Sequence, residues 1–415
     1  MLRFRRAIVL LLVLAGAASA ATSAPIFGEI DEMLASLSKI TGWEVHRKVP
    51  AEMLSNDKFR QILKSHVDKS DPKKIHAEEL TLRMFGLVPN DFSLAKETVD
   101  LFGEQVAAYY DSEKKRLYVL DNVASDLDRR VALVHELAHA LADQQHSLLK
   151  YLKGKGPHRI KEDEDTDDAT TARQAVMEGQ AVWLTWAYVA GRNGSKAEVP
   201  SAMLDTLAKA SGGGEDMPVY ATSPLYFRES LIFPYTQGLR FTDSVYRKLG
   251  QKAFEEVFER PPASTQNIMH PDTYLADKKP VMERLPELKE EIGKDASRFS
   301  LLTEGDLGEF DVSILLRQFT SEKDAAAESP HLQGAGFRLW ENKTTKAGLL
   351  LHQTEWDSPE TARRFFELYR SVLKKKSKVF EVADEGPDSF HGMGDLGKFE
   401  ARLKGSVVQV LEGLR

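Results

Sequence analysis

Cysteine is absent from the 415 residues. That one absence excludes a disulfide framework, a thiolate zinc cluster, a cysteine nucleophile and a lipid-modified N-terminal cysteine. Any metal must therefore sit on His, Asp or Glu. A surplus of positive charge is also missing: 56 Lys and Arg stand against 63 Asp and Glu, for a formal net charge of −7. No basic face that neutralises phosphates is expected, which argues against nucleic acid as a partner. Apart from the first residues there is no apolar stretch long enough to span a bilayer, so no stable membrane span is expected after the N-terminus. Apolar residues make up 42% of the chain, enough for two or three packed domains.

The N-terminus reads as an address. Arg3, Arg5 and Arg6 precede the apolar run 7–14, small residues fill 15–21, and Ala18-Ser19-Ala20 offers an A-x-A cleavage site. Residues 1–20 are expected to be a signal peptide and the protein to be exported, to a periplasmic or extracellular location. An uncleaved anchor is the alternative, although the core falls short of the roughly twenty apolar residues a bilayer needs. Arg5-Arg6 lacks the polar and aromatic context of a twin-arginine signal, which favours general secretion. Cleavage removes three cations and no acids, taking the net charge from −7 to −10.

Residues 25–100 alternate strand-like and helical patterns. Trp43 to Val49 alternates as a strand, Asp57 to Val67 repeats as a helix, and His46, His66 and His76 are scattered singly. A β-hairpin follows, with arms Val106–Asp111 and Arg116–Leu120 around the turn Ser112–Lys115. Ser125 then opens a helix whose stretch Val131–Ala142 is apolar on nearly every face, and so buried. It nevertheless contains two histidines and a glutamate, groups that a core excludes unless they are paired or bound to metal.

His135 and His139 lie four residues apart, so a helix turning about 100° per residue puts both imidazoles on one face, one turn apart. Glu136 lies on the adjacent face. Such spacing suits two metal ligands with a general base beside them, the mechanical content of H-E-x-x-H. A catalytic zinc, Zn2+, needs a third protein ligand and one open position. The stretch Thr171–Leu184 reads as a second buried helix rich in small residues, and Glu178 on it is the candidate third ligand; the alternative is a helix carboxylate paired with Arg173.

The block His135-Glu136-Leu137-Ala138-His139, followed by Glu178-Gly179-Gln180-Ala181 on a downstream helix, resembles the zincin metallopeptidases, within them the gluzincin branch, over roughly residues 100–275. The resemblance implies an exported zinc metallopeptidase that hydrolyses peptide bonds of a peptide or protein substrate, with His135, His139 and Glu178 on the metal and Glu136 as general base. It also implies that the hairpin before the motif, Tyr109 to Asp111 and Leu117 to Leu120, lines the substrate cleft by strand addition. One departure stands out. Thermolysin-like enzymes place an aspartate four residues after the glutamate ligand to orient a ligand histidine, and that position here is Val182. Asp143, Asp167 or Asp168 is expected to substitute. For the oxyanion of the tetrahedral intermediate there are two candidates. His270 sits in a proline-bounded loop and is preferred; Tyr235 sits beside turn-forming residues.

The run Glu162 to Asp168 is acidic, but counting from Asp163 it lacks the glycine and glutamate of an EF-hand, so it is expected to be a solvated loop. The glycines 212–214 read as a loop within the helical domain. From about residue 300 an α+β piece is expected: a helix over 311–319, strands over 336–340 and 348–356, an amphipathic helix over 358–375 with Ala362, Phe365, Phe366, Tyr369 and Leu373 inward, and strands over 398–403 and 407–411. The lysines 374–376 are expected in water at the end of that helix. The expected fold is thus α+β: a signal peptide (1–20), an N-terminal α/β subdomain (21–100), a zincin-like, mostly helical catalytic domain with a small sheet (101–300) and a smaller α+β C-terminal domain (301–415). Two rival readings stay open. One is a catalytically inactive zincin-fold envelope protein that binds or scaffolds; the other is a structural metal site closed by a fourth side chain, His146 being nearest.

Overall fold

A computed structural model describes residues 25–121, 125–154, 166–192, 199–210, 217–281 and 284–415. The expected signal peptide, most of the acidic run and the glycines 212–214 lie outside these residues. The fold is α+β, with a helical N-terminal part and a sheet-rich C-terminal part. Among the described residues, no helix is long and apolar enough to cross a membrane.

Helix α1 (Ile30–Thr41) buries Met33, Leu34 and Leu37 and stops at Gly42, whose φ of 79° suits a residue without Cβ and returns its N–H to the Ser38 carbonyl. The alternation over 43–49 does not become a strand. The Trp43 ring packs edge-on against His146, Phe254 and Phe258, its indole N–H donates to Glu255, and the Gln144 side chain accepts from the His46 and Arg47 amides. The backbone donors of 46 and 47 are thus spent on α5 (Asp126–His146) instead of on a ladder.

The first strand, β1 (Ala51–Leu54), comes directly afterwards and runs parallel to β3 (Arg116–Leu120), which pairs antiparallel with β2 (Ala108–Asp111). The sheet order β1-β3-β2 leaves β2 on an edge. Between β1 and β2 lie α2 (Asn56–Lys69), α3 (Pro72–Phe85) and α4 (Leu94–Gln105), capped by the side chains of Ser55, Asp71 and Ser93. The hairpin turn is closed by Asp111, whose Oδ1 accepts from the amides of Glu113 and Lys114.

Helix α5 packs on α6 (Asp167–Arg192), and α6 on α7 (Leu225–Leu249). The last two cross at glycines. A Cβ built on Gly179 would fall 2.0 Å from the Gly238 carbonyl carbon, and one on Gly238 would fall 2.0 Å from the Ala175 carbonyl oxygen. Only hydrogen fits on either side, and the two backbones touch.

The C-terminal part is a seven-stranded antiparallel sheet, order β4-β5-β6-β10-β9-β8-β7, of β4 (Phe299–Leu307), β5 (Leu332–Asn342), β6 (Gly348–Trp356), β7 (Phe380–Glu385), β8 (Ser389–Gly394), β9 (Gly397–Lys404) and β10 (Val407–Leu414). The strands expected around 336–340, 348–356, 398–403 and 407–411 are β5, β6, β9 and β10; β4, β7 and β8 were not anticipated. Helix α8 (Glu309–Phe319) follows β4, and α9 (Pro359–Lys376) buries Ala362, Phe365, Phe366, Tyr369 and Leu373, the face its periodicity dictates. Lys376 is not in water: its side chain is 3% exposed, with Nζ 2.7 Å from Glu412 and bonded to the Met84 carbonyl.

Among the described residues, the last two acids of the run are corrected in the same way. Asp167 and Asp168 are buried in the first turn of α6, where Asp306, at the end of β4, accepts from both of their amides. An unpaired helix N-terminus needs acceptors, and here the second domain supplies one. Burial and then the Asp167 carboxylate push the Asp306 carboxyl up to about 6. One apolar core runs through both parts, from Ile30 in α1 to Val410 in β10.

Candidate active site

Four residues of α5 and α6 build the site. On α5, His135 and His139 present their Nε2 atoms to the same point, 3.2 Å apart. From α6, a Glu178 carboxylate oxygen lies 3.1 Å from His135 Nε2 and 3.2 Å from His139 Nε2. The sequence periodicity supplied the first pair; the packing of α6 on α5 supplied the third group. Burial alone would raise the Glu178 carboxyl, but the His139 and His135 imidazoles outweigh it and hold the group below the usual carboxylate range. Glu178 is therefore paired with both histidines rather than with Arg173, whose guanidinium donates to Thr170 and to the Leu152 carbonyl. Two imidazoles and a carboxylate that place one ligand atom each within 4.8 Å of one another can hold a metal ion.

Glu136 is buried next to this cluster, and burial, with the Glu178 charge, pushes its carboxyl up to about 8 against the opposing pull of His135. The Tyr110 amide of β2 donates to its Oε2 at 2.8 Å. That contact depends on a latch the sequence did not disclose. Asp143, two turns down α5, accepts from the Tyr110 hydroxyl at 2.9 Å, from Lys115 at 2.6 Å and from Arg47 at 3.1 Å, while its other oxygen accepts from the Leu148 amide. Asp143 therefore ties the hairpin to α5 instead of orienting a ligand histidine.

The other two candidates for that duty are engaged elsewhere as well. Asp168 accepts from the Thr265 amide, and Asp167 belongs to the junction with Asp306. His146 is also outside the cluster: its ring stacks on Phe258 at 4.4 Å and its Nε2 lies 3.2 Å from Glu255.

Of the two oxyanion candidates, the structure brings Tyr235 to the cluster and leaves His270 away from it. Tyr235 is not in a turn; Pro234 is accommodated inside α7, and the Tyr235 ring lies 6.0 Å from that of His135 at 29°. The Gly179–Gly238 crossing sets this approach, because Gly179 directly follows Glu178 and Gly238 lies about one turn after Tyr235. Burial, then the Glu178 and Glu136 carboxylates, keep the phenol protonated. His270 joins the short helices Thr265–Met269 and Pro271–Leu275, and its Nε2 bonds to Glu309 at 2.8 Å; that bond, against the effect of burial, raises its pKa.

His135, Glu136, His139, Glu178 and Tyr235 all line one cavity of about 640 Å³, whereas His270 is not among its walls. The cavity meets the edge strand at Ala108 and Tyr109; β3, expected to line it too, is the central strand and is not part of the wall. No protein-family model matches the chain, and no curated protein or solved structure matches it.

Proposed function

We propose that the protein is an exported zinc metallopeptidase, a site of the gluzincin kind acting on peptide bonds. The observation that carries this reading is the convergence of His135, His139 and Glu178 on one point in the wall of an open cavity, with Glu136 beside them. Two histidines and a glutamate are the ligand set of catalytic zinc, and the open cavity leaves room for substrate where a structural site would be closed by a fourth side chain. A zinc ion bound there supplies Lewis acidity toward the attacking water and the scissile carbonyl.

The remaining roles fall to the chain itself. His135 and His139 sit on one rigid helix, so their spacing does not change as substrate enters. A cation held by His135, His139 and Glu178 would offset the burial that raises the Glu136 carboxyl, so that Glu136, oriented by the Tyr110 amide, takes a proton from the attacking water and gives it to the departing amine. Tyr235, protonated and facing the same space, donates to the oxyanion as it forms. His270 is not given this role, because Glu309 holds it outside the cavity wall. The intact Glu136 speaks against a binding module that has lost its chemistry. The N-terminal segment supports export.

Metal content by mass spectrometry on chelator-free protein tests the reading, with Glu178→Ala beside the wild type. The expected result is about one zinc per chain, lost in the variant, with cleavage in a peptide-library screen. Wild-type protein free of zinc, or zinc retained in Glu178→Ala, would overturn the proposed site.

A further inference from the structure

We infer that the cavity over the His135, His139 and Glu178 cluster seats a long alkyl chain, so that the substrate is an amide carrying an acyl or alkyl group of on the order of a dozen carbons. Placing the amide at the cluster rests on the hydrolase reading; seating the chain does not.

Volume is the first reason. About 640 Å³ is open, several times the roughly 150 Å³ of an engineered cavity that takes benzene. One leucine or phenylalanine side chain would leave most of it empty. The walls are the second reason. Phe59 and Leu63 of α2, Leu101 of α4, Val182 and Trp186 of α6 and Leu231 of α7 enclose it.

Several polar side chains in the wall are already spent. The Thr98 hydroxyl donates to the Leu94 carbonyl at 2.6 Å, the Thr185 hydroxyl to the Ala181 carbonyl at 2.8 Å, and the Gln105 amide faces the Met217 sulfur. A peptide packed against Phe59, Leu63, Leu101, Val182, Trp186 and Leu231 would bring an N–H and a C=O per residue that those side chains cannot bond. A hydrocarbon chain asks for none.

The entrance is the third reason. Val131 and Val189 line the cavity yet are each 40% exposed, and Leu127, one turn before Val131 on α5, is 67% exposed. Val131 and Val189, beside Asp128, thus put apolar surface at the rim of the cavity, where solvent-facing positions would ordinarily be polar. Hydrolysis of the seated amide adds water across the C–N bond: the carbonyl carbon gains the oxygen as carboxylate, and the nitrogen leaves as the amine with the proton carried by Glu136.

The experiment is a binding series on the full-length, zinc-loaded Glu136→Gln protein, in which turnover is blocked. N-alkanoyl-glycines of two to sixteen carbons are titrated, with Trp186 in the wall contributing to the fluorescence readout. Affinity should rise by up to roughly fourfold per added methylene until the cavity is filled. Val131→Asp and Val189→Asp, at exposed positions that leave the core intact, should weaken the longest ligand at least tenfold and leave the two-carbon ligand unchanged. Affinity independent of chain length, or tri-leucine amide binding more tightly than an alkyl chain of equal carbon count, would overturn the inference. The same series on chelator-stripped protein separates the two proposals. Length-dependent binding in a chain that holds no zinc and cleaves no amide would sink the hydrolase reading alone, whereas zinc and cleavage without length dependence would sink the alkyl chain alone.

Discussion

In the helical part of the molecule, His135 and His139 turn their Nε2 atoms toward each other and toward Glu178; in the sheet part, His352 of β6 is 1% exposed and neither ring nitrogen has a hydrogen-bond partner. Both parts bury imidazole on rigid elements, and both must offset the cost of taking a polar ring out of water. The sheet does so by keeping the ring neutral. Burial, followed by the nearby Lys376 charge, lowers the His352 pKa to about 3, and the ring serves as a flat packing surface between Phe85 and Tyr369. The helices instead aim three polar groups at one point. Burial of histidine therefore marks no site by itself; convergence with a carboxylate at the wall of a cavity does.

Glu136→Gln gives the largest effect if the helical cluster is the chemical one: peptide cleavage falls by about 100- to 10 000-fold while zinc content stays near one per chain. Loss of zinc in that variant would make Glu136 a ligand and redraw the cluster. Tyr235→Phe should lower kcat by about 100-fold with KM little changed, the signature of a group that acts only in the transition state.

The helix crossing comes next. Gly238→Leu must force α7 away from the Ala175 carbonyl and should cost about 3 kcal/mol in denaturant unfolding, with cleavage reduced because Tyr235 and Glu178 separate. Unchanged stability would show that the two helices do not touch as described.

On the sheet side, His352→Leu should stabilise the protein by about 1 kcal/mol at neutral pH, since it removes a buried ring with no partners. The pH dependence has a definite sign. In the unfolded chain the ring takes up a proton below about 6.5, whereas in the folded protein it resists down to about 3. The wild type therefore loses stability as pH falls through that window, by on the order of 1 kcal/mol per pH unit, and the leucine variant should lose less. Melts at pH 7.5, 5.5 and 4.5 check this; equal slopes for the two proteins would mean that His352 is not buried neutral.

The smallest effect belongs to His270. Its bond to Glu309 raises its pKa, so the stabilisation it provides is complete below about 6.5 and fades as pH rises through the folded value. His270→Ala should lower stability at pH 6 more than at pH 9 and leave kcat unaltered. A fall in kcat comparable to that of Tyr235→Phe would return His270 to the oxyanion role.

Much of this site was legible along the chain because helical geometry is local. Four-residue spacing puts His135 and His139 on one face whatever surrounds them, and an apolar stretch around charged groups reveals burial. The same logic exposed the inward face of α9. It failed where a partner came from far away. Alternation over 43–49 looked like a strand because nothing local shows that Gln144 takes the amides and that the Trp43 ring packs on the aromatics around Phe258. Asp167 and Asp168 looked solvated because the residue that caps them, Asp306, lies 139 and 138 positions on. His270 ranks above Tyr235 along the chain because a loop histidine before a proline looks free to reach an oxyanion while a buried tyrosine usually just finds a hydrogen-bond partner; the residues around Tyr235 look like a turn, whereas Pro234 sits inside a helix and Gly238 is a contact point. One signal could have reversed that ranking: Glu178-Gly179 and Tyr235 to Gly238 pair a functional side chain with a glycine within one turn on each of two long helices, the pattern of a close crossing.

Residue type and local spacing fix the chemistry available to this protein: no thiol, two histidines one helical turn apart, a carboxylate between them and a second one on a buried helix. Those properties follow from residue type and from a helical period that each segment carries within itself. Tertiary structure alone decided which groups meet. The glycine crossing brings Glu178 and Tyr235 together, the Asp143 latch sets the Tyr110 amide on Glu136, and six helices contribute to the wall of the cavity above them. Each depends on contacts between segments distant in sequence, whose energies come from packing the whole core and are not written in any one stretch of the chain.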